Sequence, residues 1–280
     1  MNSPGPIAQS LQEYGRGVVG GLVFSLPLLY TMEVWWAGFS IQPERLLCGI
    51  AATAALLLGY NFFVGIRNDA TFLECAIDSV EEFGLGLVVS AFILWLLGRI
   101  APGMAVSEIA GKIIIEALLV AIGVSVGTAQ LGPSSDDDES EPSPDCSGVV
   151  RQSVIAACGA FLFAANVAPT EEIVMLASEM KAWQILILAL FSLTLGAIIL
   201  YGADFRSAKT VSPGGNAVEI MSGIARTYAI ALLISAAVLW FFGRFDDASF
   251  SFAVAQTVVL GFAATLGASA GRLLLQIDSS

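Results

Sequence analysis

The chain has 280 residues, 56% of them hydrophobic and 13% charged, with a formal net charge of −12 and no histidine. Soluble domains carry roughly 25% charged residues, and several apolar runs here reach the roughly 20 residues that cross a hydrocarbon core of about 30 Å; a water-soluble globule is excluded. The missing imidazole also removes bis-histidine haem, the common zinc sites and the usual general base of nucleophilic catalysis.

Met1 to Glu13 is polar, with Pro4 and Pro6 and no basic cluster, unlike a cleaved signal peptide. The first apolar run predicts a helix over 16–38, interrupted by Pro27 and followed by the string Thr31-Met32-Glu33-Val34. The second predicted helix covers 44–66 and includes Cys48. The third, 76–98, is led in by Glu74, Asp78, Glu81 and Glu82, whose spacings place all four on one helical face. The fourth, 107–131, carries Lys112 and Glu116, four residues apart, an i,i+4 pair able to neutralise the deepest charge in the chain. Residues 132–148 then break the apolar pattern. The string PSSDDDESEPSPDC has prolines, six acids and no base, which reads as a solvated flexible linker; it lacks the glycine turn and ligand spacing of an EF-hand.

Four more helices follow, predicted at 150–177, 182–203, 217–243 and 248–273. The first contains Cys158, Pro169, Thr170 and Glu172. The two halves align in order: Thr31 with Thr170, Glu33 with Glu172, Glu74 with Glu219, and Arg67 with Arg206. ILWLLGRI then meets VLWFFGRF, and GVSVG meets GASAG. The expected fold is all-α and polytopic: about eight transmembrane helices as two parallel four-helix repeats, 16–131 and 149–274, after a polar segment 1–15. An even number of helices per repeat makes the copies parallel, with a pseudo-twofold along the membrane normal.

One face of this topology collects both termini, Arg16, Arg67, Arg151, Arg206, Lys209 and Arg272; the other collects Arg45, Arg99, Lys181 and Arg244, with Lys112 just inside. The positive-inside rule puts the first face in the cytoplasm. Trp35, Trp36, Trp95, Trp183 and Trp240 gather near helix ends on the opposite face, as an interfacial belt would. Cys75 and Cys146 share a face, where a disulfide is sterically conceivable, although reduced thiols are the plainer expectation.

Carboxylates inside such spans should face the bundle interior, pair, or meet water. Glu33 and Glu172 each follow a proline and a threonine. A proline-broken helix offering carbonyls, the Thr31 or Thr170 hydroxyl and a carboxylate is an oxygen-rich site for a hard cation, Ca2+, Na+ or K+; the plainer alternative is that these glutamates cap helices or pair with Arg45 and Lys181. Glu81 and Glu82 would line a vestibule. Arg226 stands where Glu81 stands in the other copy, so a Glu81–Arg226 pair is expected. The aligned GxxxG elements suit close helix packing.

The strings SLPLLYTMEVWWAGF and FAANVAPTEEIVMLA resemble an uncharacterised bacterial family of putative integral membrane proteins, a domain of unknown function. That resemblance implies a multi-pass inner-membrane protein and carries over no functional residue. The functional expectation is a channel or transporter for a small inorganic cation, lined by Glu33, Glu172, Thr31, Thr170, Glu81, Glu82 and Glu116. The expected partners are the lipid bilayer and that cation, with a homo-oligomer allowed and no nucleic acid. No organic cofactor and no enzymatic activity are expected. A non-transporting scaffold or sensor subunit, and behind it a lipid-modifying membrane enzyme, stand as alternatives.

Overall fold

The structure, a computed structural model, describes residues 6–64, 71–130, 146–207 and 217–276, which are all-helical apart from short turns. The expected 132–148 linker, Arg67, Lys209 and the pairing of Cys75 with Cys146 fall wholly or partly outside these residues. The chain divides into two compact units, 1–142 and 143–280. Unit 1 holds α1 (Pro6–Leu29), α2 (Met32–Ser40), α3 (Pro43–Val64), α4 (Phe72–Leu96) and α5 (Val106–Gln130). Unit 2 holds α6 (Cys146–Val167), α7 (Glu171–Glu179), α8 (Ala182–Ser207), α9 (Ala217–Phe241) and α10 (Phe250–Gln276).

The described residues form ten helices, because the first predicted helix of each half splits in two. Pro27 cannot donate to the carbonyl one turn back, and α6 ends at Val167, two residues before Pro169, because the residue preceding a proline disfavours helix. Thr31 and Thr170 then enter the next helix with extended backbones as its N-caps. Between Tyr14–Leu29 and Met32–Ser40 the axis turns by 87°. If α1 crosses the membrane, α2 lies close to the membrane plane and does not continue the span. Seven helices of the described chain are long and apolar enough to cross a membrane, or eight if the bent pair counts as one.

In unit 1, α5 is the central helix, packed against α1, α2, α3 and α4. Its contact with α1 is made by glycine. A side chain on Gly20 would run into the backbone of Gly127 and Gly123, and one on Gly127 into the backbone of Gly20. Lipid tails are as apolar as leucine, so close backbone approach supplies the attraction that hydrophobicity cannot. Val89, Val120 and Val124 form the core beside this seam, with Val18, Leu22, Leu85 and Ile93 against it. In unit 2, α10 takes the central place against α6, α7, α8 and α9, and Gly159 and Gly267 meet backbone to backbone. Exposed Val23, Leu47, Phe92, Leu190 and Leu233 would be out of place in water but suit a lipid surface. Trp36, Trp95, Trp183 and Trp240 are likewise exposed near helix ends.

The repeated LGR and FGR strings are helix stops. Gly98 and Gly243 have φ of 67° and 72°, the left-handed conformation that glycine adopts without penalty. Arg99 N–H donates to Leu94 O at 2.8 Å and Gly98 N–H to Trp95 O at 3.0 Å, a Schellman closure. Arg244 and Gly243 make the same bonds to Leu239 and Trp240, at 2.9 and 3.1 Å. Each closure delivers an arginine to the end of its unit where the short helix lies.

Candidate functional site

At the α1–α2 break the exposed carbonyls are bonded from nearby. The Thr31 hydroxyl donates to Pro27 O at 2.6 Å, Thr31 N–H to Leu28 O at 2.9 Å, and the Trp35 indole to Leu29 O at 3.2 Å. Glu33 is half-buried in the first turn of α2, where the helix dipole favours an acid. At the α6–α7 break the Thr170 hydroxyl donates to Val167 O at 2.8 Å. Arg244 fills the rest: its guanidinium donates to Pro169 O and to Ala168 O, and pairs with Glu171 at 3.1 Å. Glu172 is exposed; its own backbone N–H holds its carboxyl below the usual carboxylate range. Among the described residues no group of three or more acidic, cysteine or histidine side chains comes together to hold a metal ion.

The stronger site lies at the N-terminal end of α5. A cavity of about 300 Å³ opens there, walled by Met32, Trp35, Trp36 and Phe39 of α2 and by Arg99, Glu108 and Lys112. The Arg99 guanidinium lies 4.6 Å from the centre of a Trp35 ring, a cation–π contact. Lys112, only 7% exposed, pairs with Glu108 at 2.7 Å and donates to Arg99 O at 3.4 Å. The expected Lys112–Glu116 pair is therefore not the one formed. Its reason is directional: helical side chains lean toward the N-terminus, and a glutamate preceding a lysine by four is the better arrangement.

Glu116 is left alone. It is 0% exposed, near the middle of the central helix, and neither carboxyl oxygen has a hydrogen-bond partner. It shares a helix face with Val120, Gly123 and Gly127, the face that meets α1. In the sequence alignment of the two halves position 116 falls opposite Leu260, which is also 0% exposed. Lys112 corresponds to Gln256, whose amide donates to Arg244 O at 3.3 Å much as Lys112 donates to Arg99 O.

A second polar group was not legible in the sequence. Asn61 of α3 donates to Glu82 at 2.8 Å and to Ser79 at 3.0 Å, while Ser125 of α5 donates to Asn61 Oδ1 at 3.0 Å. This joins three spans through one asparagine, and its only sequence signal was a lone amide in an apolar run. Ser125 and Glu116 are nine residues apart, half a turn round α5, so the network and Glu116 lie on opposite faces. Glu74 closes a capping box with Thr71, its carboxylate accepting from Thr71 N–H at 2.7 Å. Glu81 is exposed and accepts from the Tyr14 hydroxyl at 3.4 Å; Arg226 is half-buried in unit 2 beside Gln152, Ser153 and Thr227.

A family profile described as "Putative integral membrane protein (DUF2391)" matches residues 13–275, and the chain belongs to that family. No curated protein and no solved structure matches it.

Proposed function

We propose that this integral membrane protein is a channel or carrier for a small inorganic cation. In this reading the two units are a duplicated pair related by a pseudo-twofold along the membrane normal, in the cell's inner membrane with cytoplasmic termini. The observation that carries it is Glu116. A carboxyl held in the middle of a membrane helix bundle, with no hydrogen-bond partner on either oxygen, is expensive. It is also unnecessary for packing, since a leucine takes the corresponding place in unit 2. Groups kept at such a cost in membrane helices mark ion or proton pathways. The cavity beside Lys112 supports the same reading, because it brings solvent to within one helical turn of Glu116.

Glu33, Glu172, Thr31, Thr170, Glu81 and Glu82 act in this proposal as an acidic approach that draws cations in, with Ca2+, Na+ or K+ as the ions to try. Since Thr31 and Thr170 donate to carbonyls, these two positions serve a passing ion better than a resident one. Purified protein in liposomes should pass or exchange a cation, screened across protons, monovalent and divalent ions. Glu116→Gln should lower that flux by about tenfold or more, an effect of roughly 1.4 kcal/mol on the barrier. Glu33→Gln with Glu172→Gln should alter ion preference. Absence of flux for every ion tested would remove the proposal.

A non-transporting subunit is the second reading. It is favoured by the capping box at Glu74 and the ion pairs Glu108–Lys112 and Glu171–Arg244, each of which gives an acid a structural role.

A further inference from the structure

We propose that Glu108, Lys112 and Glu116 form a proton-binding switch, in which the Lys112 ammonium alternates between the two glutamates. The ligand assigned to Glu116 is a proton. A hard cation needs about six oxygen ligands, whereas Glu116 is fully buried, has no hydrogen-bond partner on either oxygen, and belongs to no cluster of three or more acidic side chains among the described residues. Lys112 stands four residues from both acids on one face of α5, and it is bonded to the outer one. In this arrangement Glu108 is a carboxylate, Lys112 an ammonium and Glu116 an un-ionised acid.

The alternative arrangement conserves both charge and protons. Glu116 gives up its proton as the ammonium swings one turn inward to meet the carboxylate so formed. Glu108, which lines the cavity, takes up a proton in its place and exchanges it with water. The ammonium and the proton change ends, and no unpaired charge is left buried in either state. The reversed pairing geometry disfavours the inward state, so the pair starts outward.

The surroundings leave this exchange undisturbed. The Asn61–Ser125 and Gly86–Ala121 contacts set the register of α3 and α4 on α5, and the glycine seam sets that of α1. Within about two turns of Glu116 on that register, the other charged or titratable groups among the described residues are Tyr30, Glu33, Arg45, Cys48 and Arg99, with exposed Glu44 and buried Tyr60 at the edge of that range. Tyr30, Cys48 and Arg99 are exposed, Arg99 stacked on Trp35; Glu33 and Arg45 are half-buried.

The switch goes beyond the transport reading, since a non-transporting sensor could use it equally. The test is infrared difference spectroscopy of the full chain in lipid nanodiscs, following the carbonyl band of un-ionised carboxyl groups across a pH series. At neutral pH the wild type should show such a band, and Glu116→Gln should abolish it. Glu108→Gln should release Lys112 inward and weaken the band by about tenfold, and Lys112→Met should hold it constant through alkaline pH. Glu108→Asp, which keeps the outer charge, should leave the band near its wild-type strength and serves if Glu108→Gln does not fold. A wild type without the band, a band that survives Glu116→Gln, or a band indifferent to both Glu108→Gln and Lys112→Met would overturn the switch. If the band behaves as expected while liposomes show no flux, transport fails and the switch stands.

Discussion

Replacing Glu116 by leucine separates stability from function. The carboxyl is fully buried with neither oxygen bonded, and a buried polar group in that condition costs about 1–3 kcal/mol. Leucine is close in volume, and Leu260, which falls opposite Glu116 when the two halves of the sequence are aligned, is itself fully buried in α10. Leucine gains little from hydrophobicity inside a bilayer, because the lipid it leaves is equally apolar. The gain should therefore be the relieved polar penalty alone: about 1–3 kcal/mol of added stability in equilibrium unfolding from mixed micelles. Cation flux in liposomes should fall sharply in the same protein, the pattern of a residue retained for function against stability. A loss of more than about 2 kcal/mol would mean that the carboxyl is bonded and structural. Unchanged flux would mean that Glu116 lies off the path. Either result refutes the reasoning.

Other substitutions probe the frame around this site. Gly20→Ala would drive a methyl group into the Gly127 backbone and should destabilise by about 1–3 kcal/mol, whereas Gly84→Ala, with open space around it, should be neutral or slightly stabilising; thermal unfolding of both reads the contrast. Arg244→Lys loses the fork that bonds Pro169 O, Ala168 O and Glu171 together and should cost about 1–3 kcal/mol in the same assay; full stability would show the fork to be idle. Asn61→Leu strips partners from Glu82, Ser79 and Ser125 and should cost about 1–2 kcal/mol, near the upper range for polar contacts between membrane helices. Because the Glu172 carboxyl is held below its ordinary range, its contribution is present above that range and lost as pH falls through the lowered value. Glu172→Gln should therefore flatten the acid limb of the melting profile, and an unchanged acid limb would count against the backbone N–H contact that lowers it.

Much of this frame is written locally. Apolar runs give the spans, because their length must match the bilayer whatever they pack against. The helix stops at Gly98 and Gly243 and the Thr71–Glu74 capping box, which the structure showed, also rest on neighbours a few residues away. Pro27 and Pro169 mark the breaks, but the missing hydrogen bond does not say how far the axis turns. The 87° at the first break comes from α2 packing against α5.

Sequence alone determined that the chain is a helical membrane protein and which segments are apolar enough to span, and it marked Glu116 as the deepest charge, which the structure buries completely. The tertiary structure decided the partners. Asn61 reaches Glu82 and Ser125 across three helices, Arg244 crosses to the α6–α7 break, and Lys112 turns to Glu108 and leaves Glu116 alone. The physical reason is range. Hydropathy and backbone propensity act over one helical turn, whereas a buried charge is settled by side chains that only packing brings within about 3 Å.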